Sequence, residues 1–409
     1  MNNKKYLAWF INPIDEKSFN KFVLVNNLLI NKISEKFEKI YMVNVEKLKF
    51  FSKRKIKLNY RLNENLKFPS NIEFFNPTNP KDFNYFMVGK ELIGINSFGR
   101  SFNELKIYFL LSRHKIKQVQ TSNIGNIQSN LKVLKGFFWK GLLYKFKHDY
   151  SHKFTVLLSN FGLVPKMEIR FITNTDIIEY KKKGKGLWKK IFNYFNFHFA
   201  KEFILINSRA FDEIKESKIE IEENQIVLLD EQIDNPQWTT VRKVCSKEKI
   251  DEHYRYLTKL LNYLSNIYNK KVVVCIHPMD DLEKKRKYFP GFKVVKYQTR
   301  ENIMKAFIVL FFESGAIIDA ILLKKRIATL FSSCLDENQV QHGKDYSKKV
   351  GILQIDIEDE IKFDKDNFLL KLDKTKEKYS KYINEHIKPD GENIGHEKII
   401  KILKERFFN

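Results

Sequence analysis

Three short polar clusters could carry chemistry, because each directly follows an apolar run in the second half of this 409-residue sequence. They are Asp230-Glu231-Gln232 after QIVLL, His277-Pro278 after KVVVCI, and Glu313-Ser314-Gly315 after IVLFF. A histidine can donate a hydrogen bond to an anionic oxygen, and a glycine lets the backbone approach a ligand closely. A carboxylate can take a proton from a hydroxyl group. These residue types could therefore bind a phosphate group and activate a hydroxyl beside it.

Each cluster also has a purely structural interpretation. His277 could cap a strand end, Ser314 could cap a helix, and Asp230 and Glu231 could lie in a solvated turn. The sequence has no G-x-x-x-x-G-K-[ST] pattern, so the glycine at 315 does not belong to a P-loop. Both interpretations stay open at this stage.

The first half offers one further candidate, Asp15, which follows the first apolar run and could act as a catalytic base or as a helix N-cap. No Asp-x-Asp step stands at a predicted strand end. The three cysteines give neither paired metal-ligand spacing nor a disulfide framework. We therefore expect chemistry without a metal or other cofactor.

The elements that position the three clusters alternate regularly. Apolar runs predict strands at 203–207, 225–229, 271–276, 292–295, 308–312 and 326–331, and the pattern at 251–269 predicts a long amphipathic helix. This alternation is typical of a doubly wound α/β domain. In such sheets ligands bind beyond the carboxyl ends of the strands, which is where the three clusters fall.

The first half shows a similar but less regular pattern. It predicts strands at 6–11, 40–45, 116–121, 154–158 and 169–173, helices at 22–37 and 103–113, and a last helix at 397–408. Basic-aromatic helices are predicted at 137–146 and 187–199. We divide the chain into an N-terminal domain (1–200), a C-terminal domain (201–385) and a terminal segment (386–409) that could pack back on the N-terminal domain.

Four segments carry a resemblance to a known family: ILINSRAFDEI, QIVLLDEQIDNPQW, the helix running into KVVVCIHP, and FFESGAIIDAILLKKRIATL. In this order they resemble the C-terminal half of bacterial capsule and lipopolysaccharide GT-B glycosyltransferases, in the sialyltransferase- and Kdo-transferase-like branch. The resemblance covers about residues 203–355. The chain departs from that pattern in having Glu313 before the serine, and in having no His-Pro step directly after its Asp-Glu-Gln sequence.

The resemblance implies two Rossmann-like domains facing each other across a cleft, with the donor in the C-terminal domain and the acceptor in the N-terminal domain. The implied reaction is an inverting, metal-independent transfer of a sialic-acid-like or Kdo residue from a CMP donor to a glycan or lipid-linked glycan. The implied donor-binding residues are His277, Pro278, Glu313, Ser314 and Gly315. Candidates for catalysis are Asp230, Glu231, Asp15 and His277.

The net charge of +25 indicates an anionic partner or a compositional bias towards lysine. No zinc-finger spacing or RNA-recognition signature is present, so we expect no nucleic-acid partner. Lysines mixed with aromatic residues at 137–148 and 181–199 are typical of helices that lie on anionic membranes, or of ordinary amphipathic helices. We expect a cytoplasmic protein that can contact the inner face of the cytoplasmic membrane. Two other classes stay open: a non-hydrolysing UDP-sugar epimerase and a basic nucleic-acid-binding protein.

Overall fold

The computed structural model describes residues 4–13, 16–49, 68–98, 102–122, 151–173, 200–233, 245–278, 280–360 and 364–409. These residues form two compact units. The first unit holds the described residues up to 209 together with 389–409, and the second holds those from 210 to 388. The chain thus returns to its first unit at the C-terminus.

A parallel sheet lies at the centre of each unit. The described strands of the first sheet run in the order β3-β2-β1-β4-β5-β6-β7. They are β1 (Lys4–Ile11), β2 (Ile40–Asn44), β3 (Ile72–Phe75), β4 (Lys90–Asn96), β5 (Lys117–Ser122), β6 (Met167–Ile172) and β7 (Ala200–Leu205). The described strands of the second sheet run in the order β10-β9-β8-β11-β12-β13. They are β8 (Gln225–Leu229), β9 (Lys271–Ile276), β10 (Lys293–Lys296), β11 (Ala306–Phe311), β12 (Arg326–Phe331) and β13 (Leu353–Asp356).

Both sheets follow the 3-2-1-4-5-6 strand order of doubly wound Rossmann folds. In each unit the winding reverses between the first and fourth strands, which are β1 and β4 in one unit and β8 and β11 in the other. The predicted fold class, α/β with two Rossmann-like units, is confirmed.

Helices connect the strands and cover the sheets. In the first unit they are α1 (Glu16–Ser34), α2 (Pro80–Phe86), α3 (Leu105–Arg113), α4 (Ser151–Asn160) and, after the return, α13 (Gly395–Leu403). The next helix, α5 (Arg209–Lys215), begins at the boundary between the units. In the second unit they are α6 (Lys247–Tyr268), α7 (Leu282–Tyr288), α8 (Thr299–Met304), α9 (Ile317–Leu322), α10 (Glu337–Val350), α11 (Lys365–Lys376) and α12 (Tyr379–Tyr382). π-helical turns extend α12 over Ile383–Ile387 and α13 over Lys404–Phe408.

The central strands are apolar on both sides because helices cover both faces of each sheet. Val227 and Leu229 of β8 belong to one buried core, whereas Ile226 and Leu228 belong to the core on the opposite face. In the first unit the C-terminal helix supplies part of such a core, since Leu403 packs in the same cluster as Trp9 of β1.

One predicted element is wrong. The segment 154–158 was expected to be a strand, but it lies inside helix α4. Thr155 and Ser159 are both buried, one helical turn apart, and the Ser159 hydroxyl donates to the Thr155 carbonyl at 3.0 Å. A five-residue apolar run does not distinguish a strand from a buried helix segment. The helices predicted at 137–146 and 187–199 lie outside the described residues.

Candidate functional site

The three polar clusters meet at one edge of the second sheet, formed by the residues that follow β8, β9, β10, β11 and β12. We call it the carboxyl edge. Leu229 at the end of β8 pairs with Phe311 of β11 on one side and with Cys275 of β9 on the other. The three strands therefore end at the same level, with β8 in the middle. Neighbouring strands lie about 4.8 Å apart, so the ends of β9 and β11 are separated by roughly 10 Å.

The carboxyl edge also contains the point where the winding of the sheet reverses. β8 and β11 are neighbours in the sheet but are connected in the chain through β9 and β10. Loops leaving such a pair of strands turn to opposite faces and open a crevice, where ligands of doubly wound sheets bind. Asp230 and Glu313 follow the two strands that flank this point.

A buried lysine anchors the loop after β8. Lys285 Nζ on α7 lies 2.6 Å from Asp230 Oδ2, and each of the two side chains is only 1% exposed. Lys285 also donates to the Glu231 carbonyl oxygen at 3.1 Å and to the Tyr254 hydroxyl of α6. The predicted catalytic candidate Asp230 is thus a member of an ion pair inside the protein.

The loop after β9 is joined to the same cluster. Asp280 Oδ2 lies 3.9 Å from Lys285 Nζ, and Gln232 Nε2 donates to Asp280 Oδ1 at 2.8 Å. The Lys296 ammonium donates to the Asp280 carbonyl at 2.8 Å. Charges and amides therefore hold the β8 and β9 loops in a fixed relation.

His277 and Pro278 lie at the start of the β9 loop and are half-buried. The His277 carbonyl accepts from the Asp280 amide at 2.9 Å, which closes a tight turn. The Pro278 carbonyl accepts from the Tyr297 hydroxyl at 3.4 Å. The turn is thus fixed through its backbone carbonyls.

The loop after β11 places Glu313 and Ser314 half-buried and Gly315 exposed. Ser314 Oγ accepts from the Ala316 amide at 3.3 Å, so the serine organises the turn that leads into α9. The residue at the N-cap position of α9 is Ala316, two residues later than the sequence pattern suggested. The three residues stand at the carboxyl edge, and their part in ligand binding stays a prediction.

Three buried residues of this region were not singled out in the sequence. His253 on α6 lies with its ring 5.1 Å from that of Phe312, and its Nδ1 is 2.8 Å from the Ser332 hydroxyl that follows β12. The other two are Tyr254 and Lys285. The amphipathic pattern of α6 marks His253 and Tyr254 as core-facing, but the contacts themselves join distant parts of the chain.

The first unit has its own polar groups at the corresponding edge. Lys49 Nζ, after β2, lies 2.5 Å from Glu46 Oε2 and 3.6 Å from Glu104 Oε1. Asn96 at the end of β4 donates to Gln118 Oε1 at 2.6 Å. The candidate Asp15 lies outside the described residues.

A surface pocket of about 430 Å³ opens elsewhere in the first unit. Lys166, Glu168 and Lys201 line it at the amino ends of β6 and β7, and it therefore lies at the edge opposite to the one where doubly wound sheets bind ligands. Within the described ranges, no group of three or more His, Cys, Asp or Glu side chains is placed to hold a metal ion. No helix among the described residues is long and apolar enough to cross a membrane.

No protein-family model and no curated protein matches this chain. Solved structures match it over nearly its whole length. A UDP-N-acetylglucosamine 2-epimerase is 11% identical, with a TM-score of 0.48 and coverage of 100% of this chain and 98% of that chain. The UDP-GlcNAc 2-epimerase from Methanocaldococcus jannaschii is 13% identical, with a TM-score of 0.45 and coverage of 98% and 99%. The wall teichoic acid polymerase TagF is 9% identical, with a TM-score of 0.47 and coverage of 99% and 89%. These values describe a likeness of general fold and carry no statement about activity or ligand.

Proposed function

We propose that this chain is a nucleotide-sugar-dependent glycosyltransferase that binds the nucleotide of its donor at the carboxyl edge of the second sheet. One observation carries the proposal. Strands β8, β9 and β11 end at the same level, beside the point where the winding of the sheet reverses. The loops that follow them bear Asp230-Glu231, His277-Pro278 and Glu313-Ser314-Gly315. That position is where a doubly wound sheet receives a phosphorylated ligand.

The proposed chemistry is a single displacement at the anomeric carbon of the donor. The oxygen of an acceptor hydroxyl forms a bond to that carbon while the bond from the carbon to the phosphate oxygen breaks. The hydroxyl proton passes to a carboxylate, and the nucleotide leaves with the bonding electrons on its phosphate. His277 and the Ser314 hydroxyl can donate hydrogen bonds to the leaving phosphate and stabilise its charge.

The buried ion pair favours a division of roles between the two neighbouring acidic residues. Asp230 is held by Lys285 at 2.6 Å, so we assign it the task of fixing the loop. Glu231, whose backbone carbonyl accepts from Lys285 at 3.1 Å, is then the candidate for the base in this loop. Asp15 stays a second candidate, and a CMP-linked sialic-acid-like or Kdo donor stays the proposed substrate.

Binding is tested with a panel of CMP, CDP, UDP and GDP by calorimetry on the full chain. At least one nucleotide should bind, and His277→Ala and Ser314→Ala should each weaken it by about ten-fold or more, as expected for a hydrogen bond to a charged group. His114→Ala is the matched control, since the His114 ring lies 2.7 Å from Asn84 Oδ1 and both residues belong to the first unit. If no nucleotide binds, the proposal is wrong.

Turnover separates the competing enzyme classes. A transferase releases nucleotide from its donor only when an acceptor glycan is present. An epimerase converts the sugar of a UDP donor without an acceptor. Its substrate and product have the same mass, so they are separated by chromatography. A nucleic-acid-binding protein would instead bind DNA or RNA with a steep dependence on salt and ignore nucleotide sugars.

We also propose that the first unit contacts an anionic membrane, as a lipid-linked acceptor would require. Phe161 and Leu163, after α4, are 71% and 57% exposed, and they flank the pocket that contains Lys166 and Lys201. Exposed apolar side chains beside lysines are typical of peripheral membrane contact, and the net charge of +25 matches an anionic surface.

The membrane proposal is tested by sedimentation with vesicles at low salt. The chain should pellet with vesicles that contain phosphatidylglycerol and stay in solution with pure phosphatidylcholine. Phe161→Ser/Leu163→Ser should reduce the pelleted fraction, whereas Leu370→Ser, which is 54% exposed in the second unit, should not. Equal pelleting of both variants would contradict the assignment of this surface.

A further inference from the structure

Tyr297 stands at the carboxyl edge directly after β10, next to the His277-Pro278 turn. Its hydroxyl donates to the Pro278 carbonyl at 3.4 Å, and Lys296 Nζ lies 5.2 Å from the centre of its ring. The same ammonium donates to the Asp280 carbonyl at 2.8 Å. The residue nevertheless remains 42% exposed. An aromatic side chain is thus held in place, partly open to solvent, at the edge where the nucleotide is proposed to bind.

The backbone of Tyr297 is strained. Its φ of 68° lies in the left-handed region, which costs energy for any residue with a Cβ. Among the described residues the other non-glycine positions of this kind are Lys115, Asn269 and Lys324, and each lies at the C-terminal end of a helix. That is the usual place for a left-handed residue. Tyr297 follows a strand instead, and glycine or asparagine would be the expected residue there.

Tyr297 lies at the position along the sheet where a doubly wound fold would hold the base of a nucleotide. β10 and β9 are the third and second strands of the 3-2-1-4-5-6 order, and β8 and β11 flank the reversal point. In doubly wound folds the phosphates lie beside the first strand, and the ribose lies towards the end of the second. The base then extends further in the same direction, towards the end of the third strand.

We propose that Tyr297 is the stacking platform for the base of the nucleotide. The proposal rests on the function proposed above and names the residue that contacts the base. The ligand is a planar aromatic ring system, since stacking on tyrosine needs a flat π-face and no particular hydrogen-bond pattern. The hydroxyl bond to Pro278 sets the distance between this ring and the turn that carries His277.

The test uses the full chain and the nucleotide that binds tightest in the panel. Tyr297→Gly should weaken binding by about five-fold or more, as expected for loss of one stacked base. The same variant should melt at an equal or higher temperature, because glycine accepts a positive φ without strain. Tyr297→Phe keeps the ring and should bind within about three-fold of the wild type. Lys324→Gly is the matched control: it relieves a φ of 50° at the exposed turn before β12 and should leave the affinity unchanged.

The outcomes separate this inference from the proposed function. If the wild type binds a nucleotide, His277→Ala weakens it, and Tyr297→Gly binds as the wild type does, Tyr297 is not the platform and the proposed function stands. If the wild type binds no nucleotide, both proposals fall. Should Tyr297→Gly melt well below the wild type, Tyr297→Asn, which also tolerates a positive φ and has no ring, replaces it in the same comparison.

Discussion

The buried lysine of the second unit gives the sharpest prediction on stability. Lys285→Met removes the ammonium that lies 2.6 Å from Asp230 and 3.9 Å from Asp280. Both carboxylates then stay buried without the positive charge of Lys285. Removing one partner of a buried ion pair typically costs about 3–5 kcal/mol. The hydrogen bonds to the Glu231 carbonyl and the Tyr254 hydroxyl are lost as well. We expect the second unit to lose about 3–5 kcal/mol of unfolding free energy.

Hydrogen exchange followed by mass spectrometry measures this loss where it arises, since the chain has two units and does not need to unfold in a single step. Peptides from β8 and β9 report the second unit, and peptides from β1 and β4 report the first. Lys287→Met, on the exposed side of the same helix, should change the opening free energy by less than about 0.5 kcal/mol.

A double variant tests the physical cause. Lys285→Met/Asp230→Asn removes the ammonium together with the nearer carboxylate, so much less buried charge is left uncompensated. It should recover at least half of the stability lost in Lys285→Met. A loss below about 1 kcal/mol in Lys285→Met, or no recovery in the double variant, would refute the description of this cluster as a buried, charge-paired anchor.

Three further predictions concern other parts of the chain. Gly94→Ala should destabilise the first unit by about 1–3 kcal/mol in denaturant unfolding, because the new Cβ would lie 2.6 Å from Phe10 Cε2; an unchanged midpoint would contradict this packing. Burial lowers the pKa of the His114 imidazole from its usual 6.5, and neighbouring Arg113 adds to the effect. The unfolded state then binds the proton more readily, so the melting temperature should fall as the pH drops below about 6.5, and His114→Gln should flatten that dependence. Burial raises the pKa of the Cys275 and Cys334 thiols to about 12, so a thiol reagent should leave the native chain unmodified at pH 8 and react with all three cysteines once it is unfolded.

The second sheet follows closely from the sequence. The predicted strands 225–229, 271–276 and 326–331 agree to the residue with β8, β9 and β12. These strands are short, continuous apolar runs, and the helices on both faces of the sheet bury every second residue on each side. A strand of this kind is recognisable without any tertiary information. The first unit is harder to predict, because the apolar run 154–158 belongs to helix α4.

The candidate site follows from the sequence only in part. Parallel strands bring the residues after their carboxyl ends to one edge, and this alone places His277 and Ser314 in the same region. Lys285 could not have been found in this way, because it stands in the segment LEKKRKY among other charged residues. Its burial depends on contacts with Asp230 and Tyr254, which lie 55 and 31 residues away in the chain. The left-handed backbone of Tyr297 likewise has no signal in the sequence.

A crystal structure of the chain with a bound nucleotide tests the central claim most directly. We expect the phosphate within about 3 Å of the His277 ring and the Ser314 hydroxyl, the distance of a hydrogen bond, and the base against the ring of Tyr297. A nucleotide bound at the amino ends of the strands or in the first unit alone, with these three residues untouched, would contradict the claim.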